Sequence, residues 1–183
     1  MERSWLLLIY TVPADPSRKR AAIWREVKKV GAVYLRDGVC ALPDQPETAR
    51  VLRAIAAKVE ELDGQATLVR GARLVDPSRA EWLVAQSRAA RAEEYADIAR
   101  EAERLLEHVA RETEHRDFTF AELADLEADL GKLNRWTAQV RARDYFGAGP
   151  DAQLHAVLDR CAHALAVLRT PTATRRPVET TPR

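Results

Sequence analysis

Short apolar runs alternate with helical hydrophobic spacing along the first 75 residues of the chain. The apolar runs, which are rich in bulky and β-branched side chains, lie at residues 5–12, 32–36, 39–42 and 66–69. Runs of this length, bounded by turn-forming residues, are typical of strands. Between them, residues 16–30 and 44–63 place apolar side chains three and four positions apart, which predicts two helices. The predicted order is strand, helix, strand, strand, helix, strand.

The turns between these elements carry recognisable sequence signals. Asp15, followed by proline, predicts the start of the first helix, and Gly31 predicts its left-handed end. Asp37-Gly38 predicts a tight hairpin turn. Asp44 with Glu47 predicts a capping box at the start of the second helix. This order of elements is that of the ferredoxin-like (βαββαβ) fold, an antiparallel sheet with both helices on one face.

The pattern becomes helical from Asp76 onward. Small apolar residues recur at spacings of three and four, which predicts a long helix whose narrow seam packs along a partner. The members of this predicted seam are Trp82, Ala85, Ala89, Ala92, Ala96, Ala99, Leu106 and Val109. A second helix is predicted after a break at residues 114–118, with a seam from Leu123 to Val140, and a third follows Gly147. We expect a long antiparallel helical hairpin followed by a third helix.

The interpretation is an α+β chain in three parts. Residues 1–75 are the ferredoxin-like domain, residues 76–169 are the helical region, and residues 170–183, rich in Pro, Thr and Arg, are a disordered tail. The net charge of +1 hides an uneven distribution, because residues 1–79 hold 14 Lys and Arg against 10 Asp and Glu, whereas residues 80–168 hold 11 against 17. A basic head and an acidic helical body are therefore expected.

Composition restricts the class of protein. With 46% hydrophobic and 31% charged residues, the chain is expected to be soluble and globular rather than disordered. The apolar run at residues 5–12 is too short to span a bilayer and lacks the features of a signal peptide. A cytoplasmic location without a membrane partner is therefore expected. Cys40 and Cys161 are too few for a disulfide framework or a four-thiolate zinc site.

The first predicted helix carries the strongest candidate site. Its basic residues are Arg18, Lys19, Arg20, Arg25, Lys28 and Lys29, of which Arg18, Arg20, Arg25 and Lys28 are the candidate contacts to DNA or an oxyanion. Cations near a helix N-terminus are suited to bind phosphates or other anions. The alternative is the solvated outer face of an amphipathic helix, and spacing alone leaves both interpretations open. Either Ile23 or Trp24 is expected to point inward.

Other residues with possible chemistry form weaker patterns. His155, Asp159 and His163 fall on one helical stripe, but histidines eight residues apart are two turns apart, too far for one metal ion. Nucleases of the CRISPR-associated Cas2 type place a metal-binding aspartate at the end of the first strand, where this sequence has Tyr10-Thr11-Val12. We therefore predict no catalytic residue, metal or cofactor, and the nuclease is kept as an alternative.

Several motifs together resemble a known family. They are Trp5–Pro13, Arg20–Arg25, Gly31–Val39, Leu42–Pro43, Phe120, Leu130, Leu133–Trp136 and Arg143–Phe146. In this order and spacing they resemble the N-terminal domain of the ChrB family of chromate-resistance regulatory proteins, over nearly the whole chain except its tail. The first half is also similar to the Cas2-like domain of PaaX-type repressors, in agreement with the ferredoxin-like order of elements.

The resemblance implies a bacterial cytoplasmic regulator rather than an enzyme. It implies chromate-responsive transcriptional regulation of an efflux operon, with Arg18, Arg20 and Arg25 contacting DNA phosphates or the chromate dianion. A homodimer is expected, because ferredoxin-like units with an exposed edge strand commonly pair, and residues 66–69 are a candidate edge. The alternatives are a Cas2-like metal-dependent nuclease or its degenerate relative, and a structural module that binds a partner through its acidic helices.

Overall fold

The computed structural model describes residues 3–14, 17–115, 119–150 and 152–169, without the side chains of residues 114 and 115. Its strands are β1 (Trp5–Thr11), β2 (Val33–Arg36), β3 (Val39–Pro43) and β4 (Gln65–Ala72). Its helices are α1 (Arg18–Lys29), α2 (Pro46–Glu61), α3 (Pro77–His115), α4 (Phe120–Ala142) and α5 (Ala152–Arg169). The predicted α+β class and the predicted order of elements are confirmed.

The strands form one antiparallel sheet in the order β2-β3-β1-β4. β1 runs through the interior of the sheet, where Leu8 lies opposite Cys40 of β3 and opposite Leu68 of β4. This is the ferredoxin-like strand order, and it leaves β2 and β4 at the edges. The predicted hairpin turn is present, because Gly38 between β2 and β3 has a φ of +72°, which glycine adopts without strain.

One face of the sheet packs against α1 and α2. Successive strand residues point to opposite faces, so every second residue of β1 and β3 enters this core. The almost completely buried members are Leu6, Leu8, Ile23, Val27, Cys40, Leu42, Leu52 and Val59. Ile23 is fully buried whereas Trp24 is 53% exposed, so Ile23 is the inward residue of α1.

The opposite face of the sheet is covered by the first turns of α3. Trp5 of β1 and Ala41 of β3 are buried against Leu83 and Val84. Phe146, which follows α4, adds an aromatic contact, with its ring centroid 5.7 Å from that of Trp5. Both faces of the sheet are therefore covered at the Trp5 end of β1, whereas Ile9, farther along the same face, is exposed.

The capping box predicted to begin at Asp44 is wrong. α2 is capped by Gln45, whose backbone N–H donates to the Thr48 hydroxyl at 3.1 Å. Asp44 instead ties β3 to β4, because its carboxylate accepts a hydrogen bond from Arg70 at 2.8 Å. A carboxylate near the start of a helix can either cap the helix or pair with a cation. Local spacing cannot show that the cation is an arginine distant in sequence. The cap predicted at Asp15 lies outside the described residues.

The alanine seam predicted for α3 is wrong in its first half. Its members Ala85, Ala89, Ala92 and Ala96 are exposed. The buried stripe includes Leu83, Ser87, Arg91, Tyr95, Ile98, Ala102, Leu105 and Val109. These residues also recur at spacings of three and four, so the periodicity is correct. The phase is wrong up to Ala96, whereas the predicted members Ala99 and Val109 are buried. A buried serine and a buried arginine interrupt the apolar pattern from which the phase was inferred.

The chain divides into two compact units, the first formed by residues 1–94 and 139–149 and the second by residues 95–138 and 150–183. The first unit holds the sheet, α1, α2 and the start of α3. The domain boundaries inferred from the sequence, after residues 75 and 169, stay a prediction. The tail predicted at residues 170–183 lies outside the described residues.

In the second unit the seam predicted for α4 is confirmed, and α5 also buries one side. Leu123, Leu126, Leu133, Leu154, Val157, Cys161 and Leu165 are buried. The Cys161 thiol lies 3.2 Å from the Ala102 carbonyl oxygen, to which it donates, so this cysteine is a core residue. No helix in the described ranges is long and apolar enough to cross a membrane.

The turn after α1 provides a test of this packing. Gly31 has a φ of +78°, and a Cβ there would lie 2.5 Å from Nη1 of the buried Arg91. Gly71 has a φ of +67° with nothing within 4 Å of its Cβ position. We expect Gly31→Ala to lower the free energy of unfolding more than Gly71→Ala, whose cost is the roughly 1–2 kcal/mol of a left-handed backbone alone. Urea unfolding measures both losses, and equal losses would contradict a close Gly31–Arg91 contact.

Candidate anion-binding groove on helix α1

Helix α1 carries a stripe of exposed side chains beside its buried face. Arg20, Trp24 and Lys28 follow one another at intervals of four residues, so they lie on one side of the helix. Ile23 and Val27 hold the helix on the sheet. Trp24 is more than half exposed, which is unusual for a side chain of its size, and Nζ of Lys28 lies 5.9 Å from its ring centroid. The fold thus presents a basic and aromatic stripe to solvent.

The stripe forms one wall of a groove of about 710 Å³. The rest of the lining comes from the end of β1 and from β2 and its hairpin, namely Tyr10, Thr11, Val12, Tyr34, Asp37 and Gly38. The hairpin lies close to β1, because the Tyr10 N–H donates to the Gly38 carbonyl at 2.7 Å. A Cβ at Gly38 would lie 2.4 Å from the Tyr10 carbonyl oxygen. A glycine at this turn is therefore required both by its positive φ and by the close approach of the Tyr10 backbone.

Two tyrosines meet in the groove. The hydroxyl oxygens of Tyr10 and Tyr34 are 2.7 Å apart and form a hydrogen bond. Burial raises the pKa of both phenols, so both are neutral and contribute hydrogen bonds without charge. Burial also raises the pKa of the nearby Cys40 thiol to about 12, which leaves it protonated and a poor nucleophile.

Ion pairs neutralise part of the charge on α1. Lys19 pairs with Asp63 at 2.7 Å, and Glu26 pairs with Lys58 of α2 at 2.8 Å. The hydrogen bond from Lys58 lowers the pKa of Glu26, which keeps this carboxylate ionised at neutral pH. Both pairs connect α1 to neighbouring segments, so these charges position the helix.

The residues predicted from the sequence as contacts are all exposed, and none makes an ion pair with another described residue. They are Arg18, Arg20, Arg25 and Lys28. The structure brings Arg20 and Lys28 together on the groove. It does not bring Arg18 and Arg25 there, because helical geometry places them on the side of α1 opposite its buried residues. Asp37 adds one negative charge to the groove lining. The binding role of all four residues stays a prediction.

The first unit holds a second group of charged residues, which the sequence pattern did not indicate. Arg91 of α3 is 4% exposed and donates to Glu94 at 2.8 Å, and Arg143, which directly follows α4, donates to the other oxygen of that carboxylate. Hydrophobic periodicity could not have identified Arg91, because an arginine on the buried side of a helix breaks the pattern. The Arg143–Phe146 motif was the one sequence signal from this region.

The arrangement of the described side chains does not favour a metal-binding site. Among the described residues, no group of three or more His, Cys, Asp and Glu side chains could hold a metal ion. His155, Asp159 and His163 are exposed on α5. β1 ends at Thr11, so the position of the nuclease aspartate is occupied by a threonine, and Asp15 lies outside the described residues. The nuclease alternative remains untested.

Fold and groove together define an α+β protein of the ferredoxin-like class with a basic, aromatic surface on its first helix. A family model described as "Protein ChrB, N-terminal" matches residues 20–169. The chain therefore belongs to the ChrB N-terminal family, which confirms the resemblance drawn from its motifs. The matched range includes the Arg20–Lys28 stripe and the Arg91 and Arg143 side chains.

A curated protein supports the same assignment. Protein ChrB of Cupriavidus metallidurans is 33% identical to the chain over 81 residues. The matched segment covers 44% of this chain and 25% of that protein, so it spans about a quarter of the length of the relative. No solved structure matches the chain. The family assignment rests on residues 20–169 of this chain. The function of the longer relative is applied to this chain only as a proposal.

The tyrosine pair makes the geometry of the groove testable. We expect Tyr10→Phe and Tyr34→Phe each to lower the free energy of unfolding by about 0.5–1.5 kcal/mol, because each leaves a half-buried hydroxyl without its partner. The double variant should lose roughly 1 kcal/mol less than the sum, since no hydroxyl is then left unpaired. Urea unfolding of the four proteins completes the cycle, and additive losses would contradict a direct hydrogen bond.

Proposed function

We propose that the chain is a non-catalytic, cytoplasmic part of a chromate-resistance regulator, and that it contacts DNA through the groove on α1. The observation that carries the proposal is the exposed Arg20–Trp24–Lys28 stripe, whose cations have no ion-pair partner among the described residues. Membership of the ChrB N-terminal family supports the regulatory role. No comparable feature in the described ranges favours the nuclease or the partner-binding alternative.

The spacing of the two cations suits an extended polyanion. Arg20 and Lys28 are eight residues apart, so their backbones are separated by about 12 Å along the helix axis. A DNA strand presents several phosphates over that distance. Arginine can grip a phosphate with two parallel hydrogen bonds, and lysine supplies a mobile point charge. The Trp24 ring between them offers a flat apolar surface to a sugar or base.

A single small oxyanion fits this groove less well. It could not span two cations at opposite ends of a stripe of more than two helical turns, and the groove of about 710 Å³ is open to solvent along its exposed tryptophan. Arg18 and Arg25, on the outer side of α1, add to the positive field but do not converge with the groove cations. We therefore assign DNA to the α1 groove.

DNA binding is tested with Arg20→Ala/Lys28→Ala. The DNA is a labelled duplex from upstream of the operon that encodes the chain, and fluorescence anisotropy is measured at several salt concentrations. Each lost phosphate contact should reduce the slope of log affinity against log salt by about 0.9, so the double variant should lose about 2 in slope and tenfold or more in affinity.

Two matched variants serve as controls. Arg50→Ala/Arg53→Ala removes the same charge from exposed positions on α2 and should leave the slope nearly unchanged. Arg18→Ala/Arg25→Ala removes two positive charges from the outer side of α1. Its loss of slope should lie between those of the groove variant and the α2 variant. If the groove variant and the α2 variant bind DNA equally well, the proposed contact surface is wrong.

Pairing of two copies through β4 is part of the proposal. β4 is an edge strand, and its exposed Val69 lies opposite Leu7 of β1, on the same face of the sheet as the exposed Ile9. An exposed apolar patch at an unpaired edge is a favourable surface for a second copy. A dimer would also present two basic grooves to one DNA duplex.

The dimer is tested with Val69→Lys, which places a charge in that patch. Size-exclusion chromatography with light scattering should show a dimer for the unchanged chain and a larger monomer fraction for the variant. Val75→Lys is the control, because Val75 is fully exposed and lies outside the strands. A monomeric unchanged chain at micromolar concentration would contradict this pairing.

A further inference from the structure

A second, smaller pocket lies in the first unit and shares Lys28 and Tyr34 with the α1 groove. Its volume is about 220 Å³, and its lining includes Gly31, Trp82, Ser87 and Arg91. The pocket therefore lies between the turn after α1 and the buried side of α3. It is more enclosed and less than a third as large as the groove.

The guanidinium of Arg91 is incompletely paired. Its Nη2 donates to Glu94, whereas its Nε and Nη1 are buried and have no hydrogen-bond acceptor among the described residues. Native proteins satisfy nearly all buried polar groups, and a charged donor without an acceptor is among the most costly exceptions. Two unsatisfied donors on one buried guanidinium therefore indicate a missing acceptor.

The charge balance around Arg91 indicates that this acceptor is an anion. Arg91 and Arg143 share the single carboxylate of Glu94, so the three groups carry a net positive charge, and Lys28 on the pocket adds another. Burial raises the pKa of Tyr145, the phenol next to both guanidiniums, so this side chain does not supply a second negative charge. The buried groups therefore carry one uncompensated positive charge, and Lys28 adds a second at the exposed edge of the pocket.

We infer that this pocket binds a small divalent oxyanion, with Arg91 as its principal ligand and Lys28 and the Ser87 hydroxyl as further donors. The planar guanidinium presents paired N–H groups that match two oxygens of such an ion. The pocket holds several times the roughly 30 Å³ that a water molecule occupies, which is enough for a tetrahedral ion but not for a nucleic-acid strand. The inference shares Lys28 with the proposed DNA contact but takes its principal ligand from Arg91, so it does not depend on DNA binding.

The test is a titration of the full chain with sodium sulfate, in which sodium chloride is withdrawn to hold the ionic strength constant. The ¹H–¹⁵N spectrum of the arginine Nε–H groups follows Arg91, whose signal is assigned by its loss in Arg91→Lys. We expect this signal to move saturably with sulfate, and the melting temperature to rise with the same dependence. Parallel titrations with phosphate and chromate determine which dianion fits best.

Three variants distinguish sulfate binding in the pocket from nonspecific attraction of anions to the positively charged surface. Arg91→Lys keeps the charge but loses the paired donors, and sulfate affinity should fall tenfold or more. Lys28→Gln alters an exposed residue, so the protein should fold normally and also bind sulfate more weakly. Arg53→Lys, on the exposed side of α2, should bind like the unchanged chain.

Either of two results would overturn the inference. The first is an Arg91 signal and a melting temperature that do not respond to sulfate, phosphate or chromate at tens of millimolar. The second is an equal rise in melting temperature for the unchanged chain, Lys28→Gln and Arg91→Lys, which would show nonspecific anion binding. DNA affinity measured on the same preparations distinguishes failure of this site from failure of the α1 groove.

Discussion

The shared ion pair of Glu94 with Arg91 and Arg143 is the interaction on which the first unit depends most. It joins α3 to the segment after α4, and Nη1 of Arg91 lies against Gly31 in the turn after α1. Removing these charges from water costs several kcal/mol per ion, which only close pairing offsets. The three segments must therefore assemble together. An ion pair with an exposed carboxylate, such as Lys19–Asp63, contributes far less, because solvent screens the charges.

The position of α1, and with it the groove, follows from this constraint. The turn after α1 is fixed where Gly31 meets Arg91, and the middle of the helix is fixed by Ile23 in the core. The pair between Glu26 and Lys58 holds α1 against α2. A helix restrained at these points presents the Arg20–Trp24–Lys28 stripe in one orientation. The loss of conformational entropy when a ligand binds is therefore small.

Local sequence patterns predicted the helices, strands and turns. Which side chains are buried or paired depends on contacts between segments distant in sequence, and local patterns do not show those contacts. Asp37-Gly38 specifies its hairpin because few other residues tolerate that turn. The choice between Ile23 and Trp24 could not be made, since neighbouring apolar residues differ by only 100° around a helix and the position of the sheet decides between them. Arg91 was missed because its burial depends on Glu94 and on Arg143, which is far away in sequence. For the same reason the predicted basic residues could be named, but not sorted into those on the groove and those facing away.

The two proposed sites cannot be independent, because Lys28 in the last turn of α1 borders both. An oxyanion that engages the Lys28 ammonium takes one cation away from DNA, and thermodynamic linkage requires DNA to weaken oxyanion binding by the same factor. Couplings of about 1–3 kcal/mol are ordinary for linked sites, and the loss of one charged contact is of that order. Arg20, at the other end of the stripe, would keep its DNA contact. An oxyanion could therefore reduce DNA affinity through one shared side chain, without a large conformational change.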